Sequence, residues 1–398
     1  MSTVVTAQTY RGNLYSAAAI ADPYPVYREL RALGPVVRLA RHRAFALTGY
    51  DECKRTLLDD GTFVSGKGVA LNPFANRFSR GTTLNSDGDE HANRRKLVAH
   101  RLTPRALRSM SDAVEAAAEQ VAGRAVARGR VDGVAVARSL PLQVVPDLVG
   151  WPDDEREHLL RWAAATFDVL GPINGQSLRS TAASLGMMRF ARRIARTENV
   201  LAGSMGAEVI AAAKAGRIAR SEASALMIDY LAPSLDTTIS AISSALLLFA
   251  LHPGQWDQVR ADRTLIPNAL NEVVRFESPL RAFTRLASDD TEIAGTPVRK
   301  GQRVVVLFAS ANRDETAWND PDTFDIHRDA TRHLGFGQGT HGCAGQGLAR
   351  LEAHAILNAL ADRVERIELT GLPVWGRNNI IRGLARLPLE LHPIGGRT

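Results

Sequence analysis

The sequence predicts a mainly α-helical protein with small β-sheets, formed as a single large domain over residues 1–398. Three observations support this. Apolar residues recur with helical periodicity from about residue 90 to 251, broken at residues 150–154 and 171–175 by glycine, proline and aspartate. Strand signals are short and peripheral, at residues 36–47, 304–309 and 387–393, where β-branched or alternating residues adjoin turn chemistry. No repeat, low-complexity tract or Pro/Gly/Ser-rich linker divides the chain, although its length alone would allow two or three domains. The helix-rich core is therefore expected over about residues 90–360, large enough to enclose a cofactor.

Composition narrows the function classes. With 45% hydrophobic and 23% charged residues the chain is neither disordered nor collagen-like. Lys plus Arg is 49 against 42 acidic residues, a net charge of +7, and only five of the 49 are lysines. The basic residues are scattered with no run marking a nucleic-acid tail, so an acidic cofactor or protein is the better anionic partner. Two cysteines, Cys53 and Cys343, can build neither a disulfide framework nor a zinc site of the usual spacing, and a reducing cytoplasm fits them. The N-terminal MSTVVTAQTYRGNLYSAAA lacks the basic and apolar segments of a signal peptide. The longest apolar stretch, residues 239–251, falls short of the roughly 20 residues of a membrane span, so a soluble, cytoplasmic protein is expected.

The most informative stretch is residues 334–352, LGFGQGTHGCAGQGLARLE, which ends in an amphipathic helix. Gly337, Gly339 and Gly342 match a dinucleotide fingerprint, but that needs a preceding central strand, and residues 327–333 do not read as one. A second reading places Cys343 at the start of the helix, where the backbone N–H groups of Ala344 and Gly345 would point to its sulfur and favour the thiolate. Glycines at 337, 339, 342 and 345 would let the backbone turn tightly beside a flat ligand. A lone thiolate so presented suits one axial bond to a macrocycle-held metal such as haem iron. The alternative is a structural cysteine in a glycine-rich turn.

The pattern Phe336-x-x-Gly339-x-His341-x-Cys343-x-Gly345 resembles the segment around the haem-ligating cysteine of cytochrome P450 monooxygenases. Three further segments resemble family motifs in the right order, so the likeness spans nearly the whole chain. It implies a P450-type fold enclosing haem b, with Cys343 as the iron ligand and Phe336, Gly337 and Gly345 beside the haem.

Glu272 and Arg275, three apart on a helix, share a face. Alone they read as a surface ion pair worth little. The resemblance implies the family's buried Glu-Arg pair, with Arg328 as a third, structural member. His91 and Arg95 lie one helical turn apart and alone read as solvated residues. Within the family pattern they, with Arg285 and His341, are implied anchors of the haem propionates. The segment from Ala232 to Thr238, APSLDTT, interrupts an apolar helix. It reads either as a proline kink with a threonine satisfying a carbonyl, or as the family's distal helix, in which Asp236 and Thr237 relay protons to bound oxygen. Pro233 and Ser234 depart from the family's usual Ala-Gly start.

The resemblance implies a monooxygenase that uses O2 and electrons from a separate ferredoxin- or flavodoxin-type partner, since no reductase domain fits in this length. Arg94, Lys96, Arg101 and Arg350 are candidate contacts for an acidic partner. The different-class alternative is a haem protein that binds ligand without turnover, against which the Asp236-Thr237 pair argues. A peroxide-using relative would carry an Arg-Pro pair in the distal helix, and residues 232–238 contain none.

Within the family, residues 271–279, 310–314 and 378–388 look similar to bacterial members that demethylate para-substituted methoxybenzoates. The positions by which those members hold the carboxylate correspond here to Ile228, Asp229 and Lys67. An apolar residue and a carboxylate cannot replace two donors, and burying a benzoate with incomplete pairing costs several kcal/mol. Val69, Phe167, Leu170, Ala232 and Phe283 are the expected pocket walls. The implied substrate is a small neutral methoxyarene, such as an alkylguaiacol from aromatic or lignin catabolism, undergoing O-demethylation. A methoxybenzoate or another small apolar molecule is the alternative, and Lys67 keeps the acid open.

Overall fold

The fold is described from a computed structural model covering residues 6–395. Residues 1–5 of the N-terminal segment lie outside the described residues. The architecture is mainly helical with small sheets, as the sequence predicts. The helices that carry the site are α1 (Gly88–Ala99), α2 (Ser111–Arg128), α3 (Leu159–Leu170), α4 (Gly175–Thr197), α5 (Arg220–Leu251), α6 (Ile266–Phe276) and α7 (Gln346–Ala361).

Helix α5 is the centre of the molecule. It packs against α3, α4 and α6 and several shorter helices, and its residues from Thr238 to Phe249 are buried without a break. A helix apolar on every face must be covered on every face, which is what surrounds it here. By length and composition α5 could cross a bilayer, contrary to the expectation from its C-terminal stretch alone. However, 72% of its most apolar 18-residue window is buried inside the protein. It is also continuous where the sequence suggested an interruption, with Pro233 inside it. Hydroxyls thread its polar strip: Ser234 donates to Tyr230 O at 2.7 Å, Thr237 to Pro233 O at 2.6 Å and Ser240 to Asp236 O at 2.7 Å.

The periodicity reading was too uniform across residues 90–251. Gly129, with φ at +64°, ends α2, and the chain then forms a short strand, Arg130–Asp132, against Pro388–Pro393 with Val131 opposite Leu389. Three residues, two of them charged, are too short a segment to show strand alternation, and only their distant partner fixes them as strand. The strand signal over residues 36–47 resolves into two strands, Val36–Leu39 and Ala44–Leu47, antiparallel with Val36 opposite Leu47. Ala44–Leu47 in turn runs parallel to Arg303–Val306, which pairs antiparallel with Phe283–Ala287. The strand expected over residues 304–309 stops at Val306, and Phe308–Ala311 turns helical. Ser310 there donates to Thr48 O at 2.8 Å, tying the turn to the sheet.

Glu272 and Arg275 on α6 are wholly buried rather than superficial, and they join by two parallel bonds of 2.6 and 2.7 Å. Arg275 also donates to Asn312 O and Pro321 O at 2.8 and 2.9 Å. Arg328 and the backbone N–H of Asp325 both bond Glu272 Oε1, at 3.2 and 3.1 Å. One carboxylate thereby fastens α6 to the chain that leads into the cysteine loop. Glu272→Ala would strand two guanidinium groups near a dry interior, and is expected to cost about 3–5 kcal/mol. Urea unfolding followed by circular dichroism tests this; a loss below about 1 kcal/mol would show the network to be replaceable.

Candidate active site

The cysteine loop is shaped by two left-handed glycines. Gly337 and Gly339 have φ of +68° and +67°, and a Cβ at Gly339 would lie 2.7 Å from Leu57 O, so only glycine fits. Gly342 and Gly345 have ordinary φ values. The Cys343 N–H donates to Phe336 O at 2.8 Å, closing the loop. Cys343 stands before α7 rather than on it, and the N–H groups that favour its thiolate belong to Gly345 and Gln346, one position later than expected. Burial outweighs them, together with Arg95 and Arg350, and holds the thiol above its usual range. Phe336 lies under the Arg350 guanidinium, 4.5 Å from the ring centroid.

The sulfur looks into an inner cavity of about 240 Å³. His91, Arg95, Arg285 and His341 line the same cavity, and the rings of His91 and His341 stand 4.3 Å apart. Neither ring nitrogen of His91 has a partner, nor has Nε2 of His341, which sits 3.8 Å from Asp87. Burial, followed by His341 and Arg95, pushes His91 down to about 4, so it is neutral at pH 7. Burial also lowers Arg285 to about 10, leaving it charged. Arg95 and Arg285 each give one N–H to a backbone carbonyl, Thr340 O at 3.2 Å and Thr284 O at 2.9 Å, and their remaining N–H groups suit an anionic ligand. A Cβ at Gly345 would meet no atom within 4 Å, leaving room at the cavity wall beside the sulfur. One thiolate, a glycine-lined wall and unpaired donors suit a flat metallated macrocycle with acidic side groups.

The distal helix meets the cavity through Pro233, Ser234, Thr237 and Thr238. Asp236 does not line it. Its Oδ2 is inaccessible and unpartnered, and burial, with Asp168 of α3 adding repulsion, pushes the carboxyl up to about 7. Asp168 accepts from Ser180 at 2.7 Å, Gln176 at 2.9 Å and the Asn379 N–H at 2.8 Å. Sequence reasoning missed Asp168, because a lone aspartate near the end of an apolar helix carries no motif.

The predicted walls divide between two spaces. Val69, Phe167, Leu170 and Ala232 line an outer cavity of about 730 Å³, whereas Phe283 and again Phe167 line the inner one. Leu84, Phe167, Asp229 and Pro233 are common to both, so the spaces adjoin. Asp229 accepts from the Thr83 N–H at 2.8 Å, and burial raises it to about 6. Ile228 lines the outer cavity; Lys67 is exposed and lines neither.

The candidate docking residues are not a free basic patch. Arg94 is buried and bonded to Glu90 and Glu222, Arg101 pairs with Glu208 at 2.6 Å, and Arg350 bonds Gln346 and Asn271. Lys96 alone of the four is exposed, with no ion pair among the described residues. Local sequence cannot show that a basic residue already has an acid waiting for it from another helix.

A helical fold closed over a lone cysteine sulfur, with unpaired donors for acidic groups beside it, defines a cysteine-ligated haem protein. The cytochrome P450 family model matches residues 193–365. Cytochrome p450 CYP199A2 of Rhodopseudomonas palustris is 37% identical over 379 residues, covering 94% of this chain and 92% of that protein. The 6-deoxyerythronolide B hydroxylase of Saccharopolyspora erythraea is 31% identical over 402 residues, covering 95% and 98%. Among solved structures, cytochrome P450 CREJ in complex with (4-ethylphenyl) dihydrogen phosphate is similar with a TM-score of 0.85 and 25% identity, over 94% of this chain and 98% of that one. The chain belongs to the cytochrome P450 family. It is a monooxygenase of that family, whose members bind haem iron through a cysteine thiolate.

The raised Asp236 carboxyl has a consequence for stability. A carboxyl whose pKa rises on folding stabilises the fold fully below its unfolded value near 3.8, and that contribution is lost as pH rises through about 7. Asp236→Asn removes the titration. The melting temperature of the variant relative to wild type is expected to climb between pH 5 and pH 8, and a constant difference across that range would rule out a raised Asp236.

Proposed function

We propose that this P450 hydroxylates the methyl carbon of a small neutral methoxyarene, an alkylguaiacol being the model substrate, so that the product falls apart to a phenol and formaldehyde. One observation carries this reading: the wall shared by the two cavities bears a carboxylate, Asp229, and no cation. A benzoate carboxylate placed there would be desolvated and repelled, whereas Phe167 and Phe283 give an arene apolar contact. An alkyl tail gains about 0.8 kcal/mol per buried CH₂, and the adjoining outer cavity has room for it. Lys67 is exposed and lines neither cavity, which favours a neutral ring over an acid at this position. A 4-ethylphenyl compound bound in the CREJ structure is a ligand of comparable ring size.

In this reading Cys343 ligates the haem iron, and His91, Arg95, Arg285 and His341 hold its propionates. When bound, the haem supplies oxygen activation and the oxidising power for the methyl carbon. The protein's part is positioning and proton control. The Thr237 hydroxyl, engaged with Pro233 O, lies on the cavity wall, and Asp236, the residue before it, is protonated enough near neutrality to give a proton. Ser180 and Gln176 of α4 bond Asp168, whose charge raises Asp236, and this group is the proposed source of protons for it. Electrons come from a separate partner, as in other bacterial members.

A titration read by the haem spin shift tests the substrate. Binding is expected to be tightest for 4-propylguaiacol, weaker for guaiacol and weakest for 4-methoxybenzoate, with formaldehyde released on turnover. Tight benzoate binding without response to the alkylguaiacol would overturn the neutral-substrate reading. Thr237→Ala is expected to keep substrate affinity within about threefold while diverting most reducing equivalents to hydrogen peroxide. Unchanged coupling would place the proton route elsewhere.

A further inference from the structure

The outer cavity opens between α4, the N-terminal end of α5 and the segment around Phe74 to Arg80. Four arginines, Arg80, Arg192, Arg196 and Arg220, line it, and all four are exposed. None has an ion pair or a side-chain hydrogen bond among the described residues. The acids that could neutralise them are engaged elsewhere. Glu198 is paired with Lys214, and Glu222 with Arg94 and the Ala219 N–H. Asp229, the remaining carboxylate of the cavity, lies inward and is bonded to Thr83. Beside these arginines stand three large apolar side chains that are unusually open to solvent: Phe74 at 62%, Phe78 at 67% and Leu185 at 42%.

Unpaired guanidinium groups repel one another, and exposed aromatic rings gain by being covered. An amphiphile satisfies both. Its hydrocarbon lies along Phe74, Phe78 and Leu185, and its anion receives the forked donors of the arginines. The inner wall at Asp229 admits only the neutral end of such a molecule. The two ends of the cavity therefore sort a ligand by direction, neutral end inward and acid outward.

We propose that the mouth of the outer cavity is an anion-binding subsite, which favours methoxyarenes carrying a carboxylate or phosphate monoester at the far end of an alkyl tether. This rests on the neutral-arene reading of the interior and names the part of the substrate that reading leaves open. A carboxylate directly on the ring would be forced against Asp229 and could not reach the arginines, which is why tethered acids and benzoates should part company.

The test uses the haem-loaded full-length enzyme and dissociation constants from the spin shift. The ligands are 4-methoxyphenyl compounds with short, medium and long alkyl tethers, each ending in a carboxylate, a phosphate or a methyl group. At low salt one tether length is expected to bind about tenfold tighter with an acidic end than with the methyl end, and the advantage should shrink at high salt. Whichever acid shows it identifies the headgroup. In Arg192→Gln/Arg196→Gln and in Arg80→Gln/Arg220→Gln, checked for full haem content, the ratio of acid to methyl affinity should collapse toward one. Acids binding no better than their methyl counterparts at any length, or an advantage that survives both double variants, would overturn the subsite. Failure here with intact 4-propylguaiacol binding leaves the neutral-arene reading standing, whereas loss of response to every methyl-ended ether would overturn that reading instead.

Discussion

The structure depends on covering one helix. Arg220–Leu251 is too apolar to face water over most of its length, so the shorter helices and the strand Val364–Leu369 are packed around it. The same burial creates the chemistry. Where the cover is incomplete, beside Pro233 to Thr238, cavities remain, and the polar groups of that strip sit in low dielectric. Asp236 is raised because it lacks water, and its neighbour Asp168 strengthens the effect. A carboxyl raised toward neutrality follows from packing.

Electrostatic asymmetry runs across the site. Guanidinium groups stand at the wall near the cysteine, where Arg95 and Arg285 lie beside His91 and His341, and again at the outer mouth. Between them the interior carries the carboxylates Asp229, Asp236 and Asp168. Cys343 belongs to the first group by geometry, although burial holds its thiol high until a metal takes the proton's place.

The Glu272, Arg275 and Arg328 network links these parts. A buried ion network is seldom the most stable filling for its volume, and its benefit is directional. Each guanidinium also bonds backbone carbonyls, so the network fixes the course of the chain from Asn312 to Arg328 that precedes the cysteine loop. Apolar side chains could fill the same space but could not specify those carbonyl positions.

Much of this was legible in the sequence. Periodicity set the helical class, and the glycine spacing around Cys343 marked the loop, because left-handed φ at Gly337 and Gly339 excludes other residues locally. Val69, Phe167, Leu170, Ala232 and Phe283, named from the resemblance, line one or other of the two cavities. What tertiary structure alone decided depends on long-range pairing. The strand at Arg130–Asp132 exists only because Pro388–Pro393 lies beside it. Arg94 leaves the surface only because Glu222 meets it from another helix, and Asp168 matters only because α3 brings it toward Asp236. Sequence fixes what depends on a residue's own backbone and near neighbours. Charge state and pairing depend on burial and on residues far along the chain, and those are properties of the folded molecule.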